Sequence, residues 1–172
     1  MNKNLIFKII GISLVIIWML IIYMFSNMTG NESNNKSEGT INTVIEKTID
    51  TTNEIEITNK HPSDKKIKSV VNNLNYPLRK CMHASIYLIL CLFVLNILKL
   101  FGLNSYKLCF ITLFICFLYA CIDEYHQTYI LGRTGEFKDV LIDITGSEIG
   151  YLFYLMYISL KNLFNKTNIK KI

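Results

Sequence analysis

Residues 123–137, DEYHQTYILGRTGEF, form a short polar segment between two long hydrophobic runs, and this arrangement decides the fold class. The flanking runs, 106–122 and 140–160, are close to the length that crosses a bilayer. A helix needs about 20 residues, at about 1.5 Å rise per residue, to span the hydrocarbon core. The segment is therefore predicted to lie where a membrane meets water, where charge costs free energy unless it is paired or used.

Two further hydrophobic runs, at residues 5–25 and 84–101, complete the pattern. Hydrophobic residues make up 51% of the 172-residue chain. A soluble domain of this length would not contain so many long apolar runs. Only helices and closed barrels satisfy backbone groups in lipid, and these runs lack the alternation of barrel strands. The predicted fold is all-α, an integral membrane bundle of four transmembrane helices.

The hydrophobic runs divide the chain, as one domain, into predicted segments. These are transmembrane helices at 5–25, 81–101, 106–122 and 139–160, outer loops at 26–80 and 123–138, and a tail at 161–172. The first run is too long for a signal-peptide core and lacks a cleavage site, so it is predicted to be an uncleaved anchor. The five cysteines lie in or beside the apolar runs, with spacing that fits neither a disulfide framework nor a zinc site.

The distribution of charge predicts the orientation of the chain. Three segments that share one side of the membrane contain eight lysines and no acidic residue. The lysines are Lys3, Lys8, Lys99, Lys107, Lys161, Lys166, Lys170 and Lys171. The positive-inside rule makes that side cytoplasmic. We therefore expect a multi-pass cell-membrane protein with both termini in the cytoplasm.

The long outer loop is predicted to carry amphipathic helices. Residues 27–39 are polar and are expected to be flexible. Apolar residues recur at helical spacing from Ile41, and a second pattern at 67–74 could be capped by Ser63 or Asp64. These helices would lie on the outer leaflet or over the bundle; a solvated, partly helical loop is the alternative.

Polar residues from three helices are predicted to converge at the outer end of the bundle. Arg79, His83 and Tyr87 are spaced four apart and share one helix face. The third helix ends in Asp123 and Glu124. The chain then adds Gln127, Arg133, Asp139 and Asp143 at the same level.

Several residues are expected to support this constellation. Gly146 and Gly150 should let the fourth helix approach another backbone closely. Arg79 and Arg133 are the natural counter-ions for the acids, because a planar guanidinium matches a carboxylate bidentately. Lys80 is expected to be a solvated anchor.

Other chemistries find less support. His83, His126 and the carboxylates could ligate a metal, but the spacing matches no zinc pattern such as HExxH, so no metal and no cofactor are expected. No basic stripe interleaved with aromatics suggests a nucleic-acid partner. Glu148 lies near the middle of the fourth span and is expected to face Tyr119 or a polar crevice.

The constellation resembles the VanZ-like family of bacterial membrane proteins. The matching stretches are residues 79–83 with Tyr87, residues 123–127, Gly132-Arg133, and Asp139-Val140 through Asp143, Gly146 and Gly150. They span about half of the chain. The resemblance implies a role in the bacterial cell envelope, and the family's namesake is linked to teicoplanin-type glycopeptide resistance.

Three functions follow as hypotheses. In the first, the protein binds or processes a lipid-linked or cell-wall molecule at the outer leaflet, with the arginines holding an anionic head group. Asp123, Glu124 and His83 are then the candidate acid–base residues. In the second, the protein is a non-catalytic accessory partner whose polar network is structural. The third is a transporter or proton pathway, favoured only by Glu148.

Overall fold

The computed structural model describes residues 3–55 and 64–169, and these residues form an all-helical fold without a strand. The helices are, in order, α1 (Lys3–Ser26), α2 (Gly30–Ile55), α3 (Asp64–Leu100), α4 (Ser105–Gln127) and α5 (Phe137–Ile169). The predictions for Ser63 as a helix cap and for the last two lysines of the tail lie outside the described residues.

The described helices have the lengths and surfaces of a membrane protein. Three of them are long and apolar enough to cross a membrane, namely Lys3–Ser26, Asn73–Leu100 and Ser105–Gln127. Their outward faces leave large side chains uncovered, and Phe7 and Phe110 are each at least 60% exposed. Apolar surface of this extent is rare on soluble monomers. Helix α5 is not among the three, and its first half carries Asp139, Asp143 and Glu148.

Helix α3 is the centre of the bundle and packs against each of the other four helices. Five fully buried residues form what we term the apolar core. They are Leu90, Cys91, Val94 and Leu95 of α3 and Cys116 of α4. The two core cysteines are free thiols, and each packs in the core as a small apolar residue.

Two glycines bring the backbones of α3 and α5 together. A Cβ atom at Gly146 would overlap the carbonyl group of Ala84, and one at Gly150 would lie 2.8 Å from the carbonyl oxygen of Leu88. Small residues at this spacing are what close helix packing in lipid requires. The contact sets the register of α5, and hence of its acids, against α3.

Two long-range hydrogen bonds fix α1 against its neighbours. The indole Nε1 of Trp18 donates to the carbonyl oxygen of Ile86 on α3, at 2.9 Å. The hydroxyl of Tyr119 on α4 donates to the carbonyl oxygen of Met19, at 2.5 Å. Buried hydroxyl and indole groups need such partners, and these two place the end of α1 beside α3 and α4.

The segment before the second apolar run differs from the prediction. Residues 30–39, which were expected to be flexible, belong to α2, and α3 runs unbroken from Asp64 through Pro77 instead of beginning near residue 81. The missed signal is a capping box, in which the amide of Thr29 donates to Glu32 Oε2 at 2.9 Å and the amide of Glu32 to Thr29 Oγ1 at 3.3 Å.

Helix α2 is also held by side chains of α3. The hydroxyl of Ser37 donates to the side-chain oxygen of Asn75, whose Nδ2 donates to Glu38 Oε1 at 3.2 Å. These bonds compensate for the polar composition of the helix, which cannot be stabilised by an apolar face alone. Placement of α2 on a membrane surface stays a prediction.

Candidate functional site

The polar residues predicted from the sequence lie at one end of the bundle, around the ends of α1 and α4 and the beginning of α5. Five side chains form the deepest layer, which we term the polar nest. They are Ser26 of α1, His83 and Tyr87 of α3, Asp123 of α4 and Asp143 of α5. All except His83 are at least 97% buried. Four helices therefore contribute to one buried polar cluster.

The centre of the polar nest is the contact between His83 and Asp143. The imidazole Nδ1 lies 3.7 Å from Asp143 Oδ1, and Asp143 is only 1% exposed. Within residues 3–55 and 64–169, neither oxygen of Asp143, nor His83 Nδ1, nor the hydroxyl of Tyr87 has a hydrogen-bond partner. A buried polar group without a partner costs about 1–3 kcal/mol or more, so this cluster is not built for stability.

The other two acids of the constellation are better satisfied. Asp123 Oδ2 accepts a hydrogen bond from Gln127 Nε2, at 3.2 Å. Glu124 Oε1 accepts one from the backbone amide of Glu136, at 2.7 Å. The second bond ties the end of α4 to the loop that follows it, so Glu124 helps to position that loop.

The loop between α4 and α5 depends on a glycine contact. Gly132 has a φ of +76°, a conformation that favours glycine. The amide of Gly30 donates to the carbonyl oxygen of Leu131, at 3.1 Å, and a Cβ at Gly30 would overlap the carbonyl of Gly132. The beginning of α2 is thus held against the loop, and Arg133 follows directly from this fixed point.

The two arginines are placed differently from the prediction that they neutralise the acids. Arg79 Nη1 donates to Asn34 Oδ1 at 3.0 Å, and Arg133 Nη2 donates to the carbonyl oxygen of Phe25 at 3.4 Å. In the described part of the chain neither guanidinium forms an ion pair with a carboxylate. Burial and the nearby charge of Arg79 lower the pKa of Arg133, and the charges of Asp123, Glu124 and Asp139 only partly oppose this.

Lys80 was expected to be a solvated anchor, and this prediction is wrong. Its ammonium group forms an ion pair with Asp139, and both side chains are less than 20% exposed. Asp139 lies in the first turn of α5, where the helix dipole also favours a negative charge. Lys80, and not an arginine, is therefore the counter-ion of Asp139, because Lys80 lies on the side of α3 that faces α5.

Two cavities meet at the arginines. One, of about 100 Å³, has polar walls that include Gln127, Glu136 and Asp139. The other, of about 340 Å³, is mainly apolar and is lined by Phe25, Met28, Met82 and Ile86, among others. Arg79, His83 and Arg133 line both cavities. Asp123 and Glu124 line neither, so their predicted catalytic roles gain no support from these cavities and stay predictions.

A comparison with protein families matches residues 11–160 to the family described as VanZ/LLP1. The chain belongs to this family. The match confirms the resemblance inferred from the sequence, and with the apolar helices it makes the chain a VanZ-like membrane protein. No curated protein and no solved structure is significantly similar to the chain.

Several polar contacts of this VanZ-like protein are not predicted by any motif or residue spacing in the sequence. Ser26 is buried beside the Asp123 carboxylate and interacts with it. His126 Nε2 lies 2.9 Å from Asn27 Oδ1, which joins α4 to the end of α1. Asn34 holds Arg79. The only available sequence signal was their closeness to helix ends.

Glu148 does not face the partner that was expected for it. Its side chain is exposed and lies at an open groove with Phe110, Phe114 and Phe117 of α4. Tyr119 donates its hydroxyl to α1 instead. The position of Glu148 on the outside of the VanZ-like bundle offers no link to the polar nest, and a transport role gains no support from it.

Proposed function

We propose that this VanZ-like protein binds an anionic, lipid-linked molecule of the cell-wall type at the outer leaflet of the membrane. The observation that carries the proposal is the meeting of Arg79 and Arg133 at the junction of a polar and an apolar cavity, where neither guanidinium forms an ion pair with a described carboxylate.

The choice of arginine at these positions supports an anion site. Among its 18 basic residues the chain has only two arginines, and the fold brings them together. Arginine presents a planar fork of donors that matches phosphate or carboxylate bidentately, whereas lysine acts as a point charge. Each guanidinium donates one hydrogen bond to a described residue, so most of its five N–H donors remain for a ligand.

The two cavities match the two parts of an amphiphile. The polar cavity would take the anionic head group, and the apolar cavity, with Met28, Met82 and Ile86 in its wall, would take the first part of the hydrocarbon chain. Small-molecule sites are commonly apolar clefts with a few placed polar groups. Binding of a cell-wall molecule here would be the route by which the protein affects susceptibility to teicoplanin-type glycopeptides.

The proposal includes a topology of four crossings. α5 would be the fourth span, supported by its close backbone contact with α3 at Gly146. The opposite side, which carries eight lysines and no acidic residue, would face the cytoplasm by the positive-inside rule, and both termini would lie there. The arginine site would then open at the outer leaflet, where lipid-linked cell-wall intermediates are used.

The test is binding of a polyprenyl phosphate to the full chain in nanodiscs, with the uncharged polyprenol as reference. We expect the phosphate to bind more tightly, and Arg79→Gln and Arg133→Gln each to weaken it by about tenfold or more, because a charge-assisted hydrogen bond contributes about 1.5–3 kcal/mol. Lys138→Gln removes an exposed charge near the same level and is the control. Equal binding of phosphate and alcohol would contradict the proposal.

The accessory-protein alternative is separated by variants that keep shape and remove charge. If the acids are structural, Glu124→Gln and Asp139→Asn should lower thermal stability and activity together. If the acids act on a bound molecule, either variant should abolish activity while the protein accumulates and melts normally. Under our proposal Glu124→Gln retains the affinity for polyprenyl phosphate, since Glu124 lines neither cavity.

A further inference from the structure

We propose that the polar nest is a binding site for one divalent transition-metal ion, ligated by His83, Asp123 and Asp143. The proposal does not depend on the anionic ligand discussed above. It starts from the placement of one imidazole nitrogen and two carboxylate oxygens within 4.8 Å of one another, each from a different helix. Nothing in the spacing of these residues along the chain, 40 and then 20 positions apart, would reveal such a site.

The geometry is close to that of a bound ion. Two ligand atoms about 2.0–2.2 Å from a zinc ion in tetrahedral coordination are roughly 3.4 Å apart. The distance from His83 Nδ1 to Asp143 Oδ1 is 3.7 Å. The three ligand atoms all lie within 4.8 Å of one another, so the longest separation would shorten by at most about 1.4 Å on binding an ion.

Asp143 gives the independent reason to expect a ligand. It is 99% buried, and both of its oxygens lack a hydrogen-bond partner among residues 3–55 and 64–169. Its electrostatic neighbours are mostly acids, with Asp123, Glu124 and Asp139 acting on it and Lys80 already paired with Asp139. Buried charges in proteins are paired or coordinate metals, and the nearest basic group, His83, lies 3.7 Å from Asp143 without a hydrogen bond between them.

Further donors surround the same point. The Tyr87 hydroxyl is fully buried without a hydrogen bond to a described residue, and the charges of Asp123 and Asp143 act on it. The Ser26 hydroxyl is buried beside the Asp123 carboxylate. A metal ion with one or two coordinated waters would satisfy these hydroxyls, because such waters both donate and accept hydrogen bonds.

The chemistry of the ligands selects the class of ion. Imidazole with carboxylates suits zinc, manganese or iron(II), whereas calcium and magnesium prefer a shell of oxygens alone. A dication would balance the two negative charges of Asp123 and Asp143. The site has three protein ligands, the number at which metal ions retain an open coordination position for water or a ligand.

The position of His83 connects the ion with the cavities. His83 is the one member of the nest in the walls of both cavities. The ion would therefore lie behind that wall, on the same side as Arg79 and Arg133. If the anionic ligand is also bound, the ion would add positive charge to the head-group end of the site.

The experiment measures metal on the full chain in nanodiscs without any lipid ligand. The protein is stripped with a chelator, titrated with Zn²⁺ or Mn²⁺, and assayed by elemental mass spectrometry after gel filtration. We expect about one ion per chain, since a preformed site binds stoichiometrically. Asp143→Asn should weaken binding by at least about 100-fold, as even the loss of an outer-shell partner costs about 10–100-fold.

Asp139→Asn is the matched control, because it is the same substitution one turn away on the same helix. It should retain about one ion per chain. His83→Gln supplies a second measurement, in which the electron-spin-echo nitrogen modulation of bound Mn²⁺ from imidazole should disappear. Bound metal should also raise the melting temperature of the wild type but not of Asp143→Asn.

Two results would overturn the metal site. One is the absence of stoichiometric binding to folded wild-type protein by either ion. The other is equal metal content in Asp143→Asn and Asp139→Asn, which would mean that the ion is bound elsewhere. Both outcomes leave the arginine site unaffected, because that site is tested separately by the binding of polyprenyl phosphate.

Discussion

The apolar core and the polar nest are built on the same helices but differ in how completely their groups are satisfied. In the apolar core, Leu90 and Leu95 of α3 pack against Cys116 of α4 without exposed surface. In the polar nest, one to two turns away on α3, His83 and Tyr87 carry polar atoms without described hydrogen bonds. Stability comes from the core, and the nest reduces it.

This difference separates the parts of the molecule that serve folding from those that serve function. Lipid tails are as apolar as the side chains that pack between helices, so burial of apolar surface adds little within a membrane. Close van der Waals packing between the helices therefore has to stabilise the bundle. Unsatisfied polar groups in the nest lower that stability and persist when they are used for something else. Substitutions in the two regions should therefore change stability in opposite directions.

The largest expected effect is on the contact between α3 and α5. Gly146→Leu should destabilise the protein by about 3 kcal/mol or more, because the side chain would enter the space of the Ala84 carbonyl. Thermal unfolding in detergent measures this. Gly39→Leu is the matched control, since a Cβ there meets nothing within 4 Å and helix propensity improves by up to about 1 kcal/mol. Equal losses from both would contradict the backbone contact.

The apolar core should show the next effect. Leu95→Ala leaves a cavity at a fully buried position and should cost about 2 kcal/mol, mainly from lost contacts, because lipid replaces part of the transfer energy. Chemical unfolding in mixed micelles measures it. Leu152→Ala, on an exposed face of α5, should cost much less. A loss of the same size at Leu152 would show that the core is wrongly assigned.

The polar nest should respond with the opposite sign. In the presence of chelator and at a pH at which the Asp143 carboxyl is ionised, Asp143→Asn should raise the unfolding free energy by about 1 kcal/mol or more, because it removes a buried charge that has no hydrogen bond to a described residue. Asp139→Asn should lower it by a similar amount, since it leaves Lys80 without its carboxylate. If Asp143→Asn proved as destabilising as Leu95→Ala, the nest would have to be counted as structural.

The smallest effect concerns the capping box of α2. The hydrogen bond from the Thr29 amide lowers the pKa of Glu32, so its stabilising contribution is present above the ordinary glutamate pKa and is lost as the pH falls through the lowered value. The Thr29 amide resonance should titrate with a midpoint below the usual glutamate range of about 4.3. In Glu32→Gln that titration should vanish, and a midpoint at or above the usual value would contradict the capping bond.

Much of the fold could be predicted from local patterns. Long apolar runs require helices in lipid, whatever their neighbours, and four of the five described helices contain the predicted runs. The sequence does not predict α2 between residues 30 and 39, because the polar residues there show no apolar periodicity. Its capping box and its bonds to Asn75 compensate, and only the first of these is visible in the sequence.

The candidate site was predicted as a set of residues but not as a set of partners. Helical spacing placed Arg79 and His83 on one face, yet it could not show that Lys80 would reach Asp139 while the arginines would face the cavities. Ion pairing depends on the rotation of α5 about its axis, which is fixed by the contact at Gly146.

By itself the sequence determined that this chain is a helical VanZ-like membrane protein with its ionisable groups at helix ends, because hydrophobic length and charge placement act through local rules. The tertiary structure alone decided that two arginines would meet at the junction of two cavities without forming an ion pair among the described residues, and that His83, Asp123 and Asp143 would meet in a buried cluster. The physical reason is that distances between side chains on separate helices are set by packing, which no local pattern encodes.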